Sequence, residues 1–138
     1  QIGGGGVILG RFEEPTDIAV DVQDGSVFVA DNWNRRIQKL DSSLLPLDEW
    51  QVPGWESREI YHKPAIGVAQ NGDVTITDPE TYRVIVYGPD GEIKATYGDF
   101  GTEPDRFGLP NGIAAEGNDG ALVADAGNNR IMRFPAVP

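Results

Sequence analysis

Three aspartate and arginine pairs recur in this sequence with the same five-residue spacing: Asp31 with Arg36, Asp78 with Arg83, and Asp125 with Arg130. A carboxylate facing a guanidinium can serve two purposes. Set around a ring, such pairs would hold a polar ligand. Turned inward, the aspartate accepts backbone N–H groups of its turn while the arginine lays its stem along a strand and pairs locally. Repetition favours the inward reading, because fold determinants are copied from unit to unit whereas binding sites break the symmetry. These six residues are therefore expected to be structural turn pairs, and no catalytic residue is assigned.

The positions that break the pattern are the candidates for ligand binding: Trp33, Trp55, His62 and Tyr82. Trp33 stands where a later copy of the pattern has Gly127, and Tyr82 where it has Asn129. Trp55 and His62 lie in the connection P-G-W-E-S-R-E-I-Y-H-K-P, residues 53–64. Aromatic rings beside acids and amides stack on a sugar or anchor a peptide with large contact area and little entropy cost. The competing reading is that each ring only packs over a neighbouring unit. His62 is the sole histidine, which supports neither a three-histidine zinc site nor a Ser-His-Asp arrangement. No G-x-S-x-G, Walker-type glycine loop or D-x-[DN]-x-[DN]-G calcium loop occurs. No cofactor and no metal ligand is assigned. The weaker alternative is calcium held in a central channel by acids such as Asp17 or Asp21.

The elements that must position these residues follow from the repeat itself. Asp31, Asp78 and Asp125 are 47 residues apart, as are the three arginines. The surrounding text recurs as V-F-V-A-D-N-W-N-R-R-I, V-T-I-T-D-P-E-T-Y-R-V and A-L-V-A-D-A-G-N-N-R-I. Upstream of each stands an aromatic and a proline: Phe12 to Pro15, Tyr61 to Pro64, and Phe107 to Pro110. A short apolar stretch comes next, I-A-V at Ile18 to Val20, G-V-A at Gly67 to Ala69, and I-A-A at Ile113 to Ala115. Each unit reads as short strands a to d joined by tight turns. They fall near 17–21, 26–31, 36–41 and 47–52 in the first unit, and near 66–70, 73–78, 83–87 and 92–97 in the second. In the third they fall near 112–116, 121–125 and 130–134. Strand b aligns Val27, Val74 and Ala121, and Val29, Ile76 and Val123. Strand c aligns Ile37, Val84 and Ile131 on one face and Leu40, Tyr87 and Phe134 on the other, by the two-residue alternation of a strand. A sheet apolar on both faces must lie between other layers, and a four-stranded unit of this length is the arithmetic of a propeller blade.

F-x-x-P, then I-A-V-D, then V-A-D-x-x-N-x-R-I resembles the NHL repeat, over most of Gly10 to Phe134. The second unit departs from it, with Gly67 where the isoleucine falls and P-E-T-Y in place of an asparagine-containing turn. The resemblance implies an all-β propeller, commonly of about six blades. The expected fold is a single domain, residues 1–138, made of three blades near 10–53, 58–100 and 104–138. Trp50 and Tyr97 occupy strand d in the first two units, and their next counterpart falls at 144, past Pro138. Counting back the same interval puts Gln1 and Ile2 at the tail of a preceding strand d. Since closed propellers take about four to eight blades, both flanks would be apolar and open. Two copies joined head to tail, or the remainder of a longer chain, would cover them; self-association as a homodimer of half-propellers is the favoured expectation.

Charge and composition narrow the partners. Lys plus Arg number 11 and Asp plus Glu 22, a net charge of −11, which repels phosphate backbones and argues against nucleic acid. A local basic rim through Arg35, Arg36, Arg58 and Lys63 is the exception to test. There is no cysteine, hence no disulfide framework, and no apolar run long enough to span a membrane as a helix. Gly and Pro together make up 28 of 138 residues, which signals short elements and many turns. The expected function is a non-catalytic scaffold or recognition module that binds a protein, peptide or glycan through one rim. The alternative, which the resemblance supplies, is a metal-dependent lyase or lactonase-like propeller enzyme. The resemblance also favours an extracytoplasmic or secreted address.

Overall fold

The computed structural model describes residues 1–56, 59–117 and 120–138. Among the described residues eleven strands form three antiparallel meanders, each strand hydrogen-bonded to its neighbour in sequence within its meander. Blade 1 is β1 (Pro15–Val20), β2 (Val27–Asp31), β3 (Arg36–Leu40) and β4 (Pro46–Gln51). Blade 2 is β5 (Ile66–Val68), β6 (Val74–Asp78), β7 (Arg83–Tyr87) and β8 (Ile93–Tyr97). Blade 3 has three strands, β9 (Pro110–Ala115), β10 (Ala121–Asp125) and β11 (Arg130–Phe134). The helical content of the described residues is two 3₁₀ turns, Asn32–Asn34 and Ala126–Asn128. No helix among them is long and apolar enough to cross a membrane.

The β-branched and aromatic content of these runs suits a pleated, buried surface, and the two-residue alternation divides each blade into two apolar faces. Phe28, Ala30 and Ile37 of blade 1 pack against Ile66, Val74, Ile76, Ile85 and Tyr87 of blade 2. Val84 of blade 2 packs against Phe107, Val123, Ile113 and Phe134 of blade 3. Successive blades are thus stacked face to face, with first strands adjacent: β1 lies beside β5, and β5 beside β9. Two bonds tie that inner seam, Ile66 N to Asp17 Oδ2 at 2.9 Å and Thr16 Oγ1 to the Pro64 carbonyl at 3.1 Å. The result is an arc of three propeller blades.

The ladder register corrects one sequence expectation. Ile18, Ile66 and Ile113 lie opposite Val29, Ile76 and Val123, so the isoleucine column of strand a is intact in blade 2. Gly67 pairs with Thr75 and aligns with Ala19 and Ala114. The offset arises because the segment leading into blade 2 has a different length, while pairing with strand b, not distance from the proline, fixes the column.

A second difference concerns the aromatic ahead of each blade. Phe107 is fully buried, and Phe12 packs against Val27, Val29 and Leu40. Tyr61, matched to them in sequence, is 77% exposed, and its place in the core goes to Trp55, which is 2% exposed. The glycine run at the start is also more ordered than a bare linker. Gly5 bridges Phe12, Gly6 N donates to the Phe12 carbonyl, and Phe12 N donates to the Gly4 carbonyl.

Candidate functional site

Each b-to-c turn is built around its aspartate. Asp31 accepts Glu13 N at 2.7 Å, Asn34 Nδ2 at 2.9 Å, Arg36 Nε at 2.7 Å and Gln38 Nε2 at 3.0 Å. Asp125 accepts Gly108 N and Leu109 N at 2.8 and 2.9 Å, Asn128 Nδ2 at 2.8 Å and Arg130 Nε at 3.0 Å. Burial alone would raise the Asp125 carboxyl. The bonds from Leu109 N, Asn128, Gly108 N and Arg130 outweigh it and hold the group below its ordinary value. Asp78 accepts Thr81 N, Thr81 Oγ1 and Arg83 Nη2.

The arginines then reach into the loop that enters the blade. Arg36 donates to the carbonyls of Val7, Ile8 and Arg11, and Arg130 to those of Thr102, Glu103 and Arg106. Asn34 and Asn128 add bonds to the Gly6 and Gly101 carbonyls. The common element is longer than F-x-x-P. G-V-I-L-G-R-F-E-E-P from Gly6 to Pro15 matches G-T-E-P-D-R-F-G-L-P from Gly101 to Pro110, a G-x-x-x-x-R-F-x-x-P signal legible in the sequence. Among the described residues Arg83 reaches one loop carbonyl, that of Pro53. There the backbone passes so close that a Cβ on Gly54 would sit 2.1 Å from Asp78 Oδ2. Asp31, Arg36, Arg83, Asp125 and Arg130 therefore tie the turn to the entering loop, and Asp78 braces its own turn through Thr81 and Arg83.

These clamps gather the entering loops and the b-to-c turns on one rim. The column Trp33, Glu80 and Gly127 varies there: successive members are 47 apart but chemically unlike. At Gly127 the loop closes so tightly that a Cβ would lie 2.5 Å from the Gly108 carbonyl carbon. Between blades 1 and 2, the stretch from Ile60 to Lys63 offers side chains to this column. Lys63 Nζ sits 5.7 Å from the centre of the Trp33 ring and 3.3 Å from Glu14 Oε1. His62 Nδ1 lies 2.9 Å from Glu80 Oε2. Ile60 and Tyr61 beside them are 61% and 77% exposed. A cavity of about 350 Å³ opens beside Trp33, which lines it with Val7, Arg35, Arg36, Glu49 and Gln51.

Of the four sequence candidates, the structure therefore brings Trp33 and His62 to the same loop. Tyr82 lies elsewhere on the rim, its ring 4.8 Å from that of Phe100 and packed on the Val84 cluster. Trp55 is inside the molecule, its indole N–H donating to the Thr77 carbonyl at 3.3 Å and its ring part of the core between blades 1 and 2. Tyr61 was masked in the sequence by its match to two structural phenylalanines. Of the basic rim, Arg36 is 3% exposed and fully engaged, Lys63 is paired with Glu14, and Arg58 lies outside the described residues. Asp17 and Asp21 are occupied by backbone N–H groups, Asp17 by Ile18 and Ile66, and Asp21 by Gln23. Among the described residues no three acidic or histidine side chains converge to hold a metal ion.

Comparison with known proteins agrees with the propeller fold. The NHL repeat family matches residues 12–40. Protein brain tumor of Drosophila melanogaster is 24% identical over 131 residues, which cover 94% of this chain and 12% of that protein. E3 ubiquitin-protein ligase NHLRC1 of Rattus norvegicus is 26% identical over 117 residues, covering 85% of this chain and 28% of that one. The chain thus spans well under a third of the length of these relatives. Among solved structures, virginiamycin B lyase from Staphylococcus aureus superposes with a TM-score of 0.60 at 16% identity, over 88% of this chain and 41% of the lyase. Kuenenia stuttgartiensis hydrazine synthase gives 0.61 at 18% identity, over 94% and 37%. At these identities the likeness is one of fold.

Proposed function

From the premise that this chain is an NHL-repeat β-propeller protein, we propose that it is a non-catalytic recognition module whose rim binds a protein or peptide. The observation that carries this reading is the loop between blades 1 and 2. There Ile60 and Tyr61 are exposed beside the Trp33 and Lys63 pair, next to a cavity, on a rim otherwise closed down by arginine clamps. Exposed aromatic and aliphatic side chains on a rigid support are what anchors an interface, with charged neighbours setting orientation. One relative is named as a ubiquitin-protein ligase, which acts on proteins. The lyase neighbour is alike in fold, and fold alone does not carry an activity.

The test is an array of immobilised peptides and glycans probed with the chain, followed by titration of each hit against Trp33→Ala and Tyr61→Ala. The expected result is peptide binding weakened at least about tenfold by each change, or roughly 1.4 kcal/mol. Binding that both variants retain in full would refute the rim assignment. Glycan binding would redirect it to sugar stacking on Trp33. A fall in thermal midpoint on chelation, restored by calcium, would revive the metal-dependent reading.

A further inference from the structure

The b-to-c turn of blade 1 ends on a residue that gains nothing from its own chain. Arg35 holds φ 56° and ψ 40°, the left-handed region, which costs a long side chain backbone energy that asparagine largely avoids. Blade 3 meets that demand with Asn129, and blade 2 offsets it through the ring contacts of Tyr82. Arg35 does neither. It is exposed, and among the described residues it is the one lysine or arginine whose side chain makes no hydrogen bond, ion pair or ring contact. A cation left unmatched on strained backbone, in a chain of net charge −11, points to a group from outside the chain.

Arg35 lines the cavity of about 350 Å³ beside Trp33. Its other polar neighbours there are mostly taken. Arg36 is engaged by Asp31, Glu49 and three loop carbonyls, and Asn34 donates to the Gly6 carbonyl and to Asp31. What is left is the Arg35 guanidinium and the carboxamide of Gln51, which also has no partner among the described residues. Val7, 70% exposed, and the Trp33 ring supply apolar wall. A planar guanidinium matches the two oxygens of a carboxylate, and the apolar wall suits a side chain carried next to it. Neighbouring blades do not close such a place. Blade 2 is packed on both faces, yet Glu80 and Thr81 of its turn are exposed and the Arg83 side chain is 31% exposed.

We propose that this cavity takes the C-terminal carboxylate of a partner polypeptide, paired with Arg35, with the last side chain against Trp33 and Val7. The inference rests on the reading of the rim as a peptide-binding surface and names the group bound there. Charge selects a chain end over other anions. Acidic runs, phosphate groups and nucleic acid bring more than one negative charge to an already negative chain, whereas a terminal carboxylate brings one, whatever the sequence before it.

The probes are two arrays of the same short peptides, one ending in free carboxylates and one in carboxamides, with every residue type at the last position. The chain is expected to bind the free acids at least about tenfold more tightly than the matching amides. Arg35→Asn is expected to abolish that difference, leaving both forms at the amide level, and Arg35→Lys to restore part of it. The asparagine variant is expected to keep or raise the thermal midpoint, so that its loss of binding is not loss of fold. Tyr61→Ala reads the rim separately, weakening acids and amides alike. If acids and amides bind equally and Tyr61→Ala weakens both, the rim reading stands and the carboxylate assignment fails. If no peptide binds in either format, both fall. A preference for free acids that Arg35→Asn leaves intact, or binding that follows internal acidic or phosphorylated residues, would also overturn the proposal.

Discussion

The loops entering blades 1 and 3 close over their arginines in one way, and the loop entering blade 2 in another. Arg36 and Arg130 each hold three loop carbonyls, and an asparagine two positions before each adds a fourth bond. In blade 2 Thr81 replaces that asparagine; its hydroxyl stays on Asp78 and Arg83. Trp55 then fills the slot that Phe107 fills in blade 3, and Tyr61 is released to the rim. A repeat spends its copied residues on holding loops. Where the plug is changed, the displaced aromatic is left exposed on the rim.

The most damaging way to break this comparison is to remove the clamp itself. The Arg36 side chain is 4% exposed and pairs with a fully buried Asp31. Arg36→Ala leaves that carboxylate without its cation and is expected to cost about 3–5 kcal/mol. Arg83 is 31% exposed, and water can reach its partner once it is gone, so Arg83→Ala is expected to cost about 1–2 kcal/mol. Urea midpoints with a common slope compare the two directly, and equal losses would mean the clamps are equivalent after all.

Exchange of plug sharpens the same contrast. Trp55→Ala empties a core site between blades 1 and 2 and is expected to destabilise by about 3 kcal/mol or more. Tyr61→Ala should stay within about 0.5 kcal/mol of the parent, as surface changes do. The opposite order in thermal unfolding would return Tyr61 to the structural role its alignment suggested.

Acid probes the carboxylate under the blade 3 clamp. Asp125 titrates below its ordinary 3.8 when folded, so its contribution to stability is present in full above that value and is lost as pH falls through the lower folded one. Asp125→Asn should therefore flatten the acid limb of the stability curve below about pH 3.8 while lowering stability at neutral pH. An acid limb unchanged by the substitution would show that other carboxylates govern acid unfolding.

The blades were legible because pairing and periodicity are local: strands c, d and b fell within a residue or two of expectation, and both apolar faces were assigned correctly by alternation. The register of β5 was not, since Gly67 and Ile66 differ by one position and only the ladder with β6 decides between them. Trp55 was misplaced for a related reason. Its loop has no counterpart to align with, and whether a ring in such a loop turns inward depends on the vacancy left beside Phe28 and Ile76, which is a property of the assembled blades. Tyr61 is the converse case, a residue whose alignment was sound and whose environment was not.

The smallest effect separates the blades at a single backbone position. Arg35, Tyr82 and Asn129 end the three b-to-c turns with φ of 56°, 58° and 53°, the left-handed region that suits asparagine better than long or aromatic side chains. Arg35 is exposed and its N–H, which bonds to the Asn32 carbonyl, is kept by any residue but proline. Arg35→Asn should therefore raise stability, by less than about 1 kcal/mol. The same change at Tyr82 removes a ring tilted against Phe100 and packed on the Val84 cluster, and that loss of about 1 kcal/mol or more outweighs the backbone relief. Opposite signs at equivalent positions would show that Tyr82 is retained for its contacts in spite of its backbone; a gain at both would leave its ring with no structural purpose and mark it as a second rim residue kept for binding.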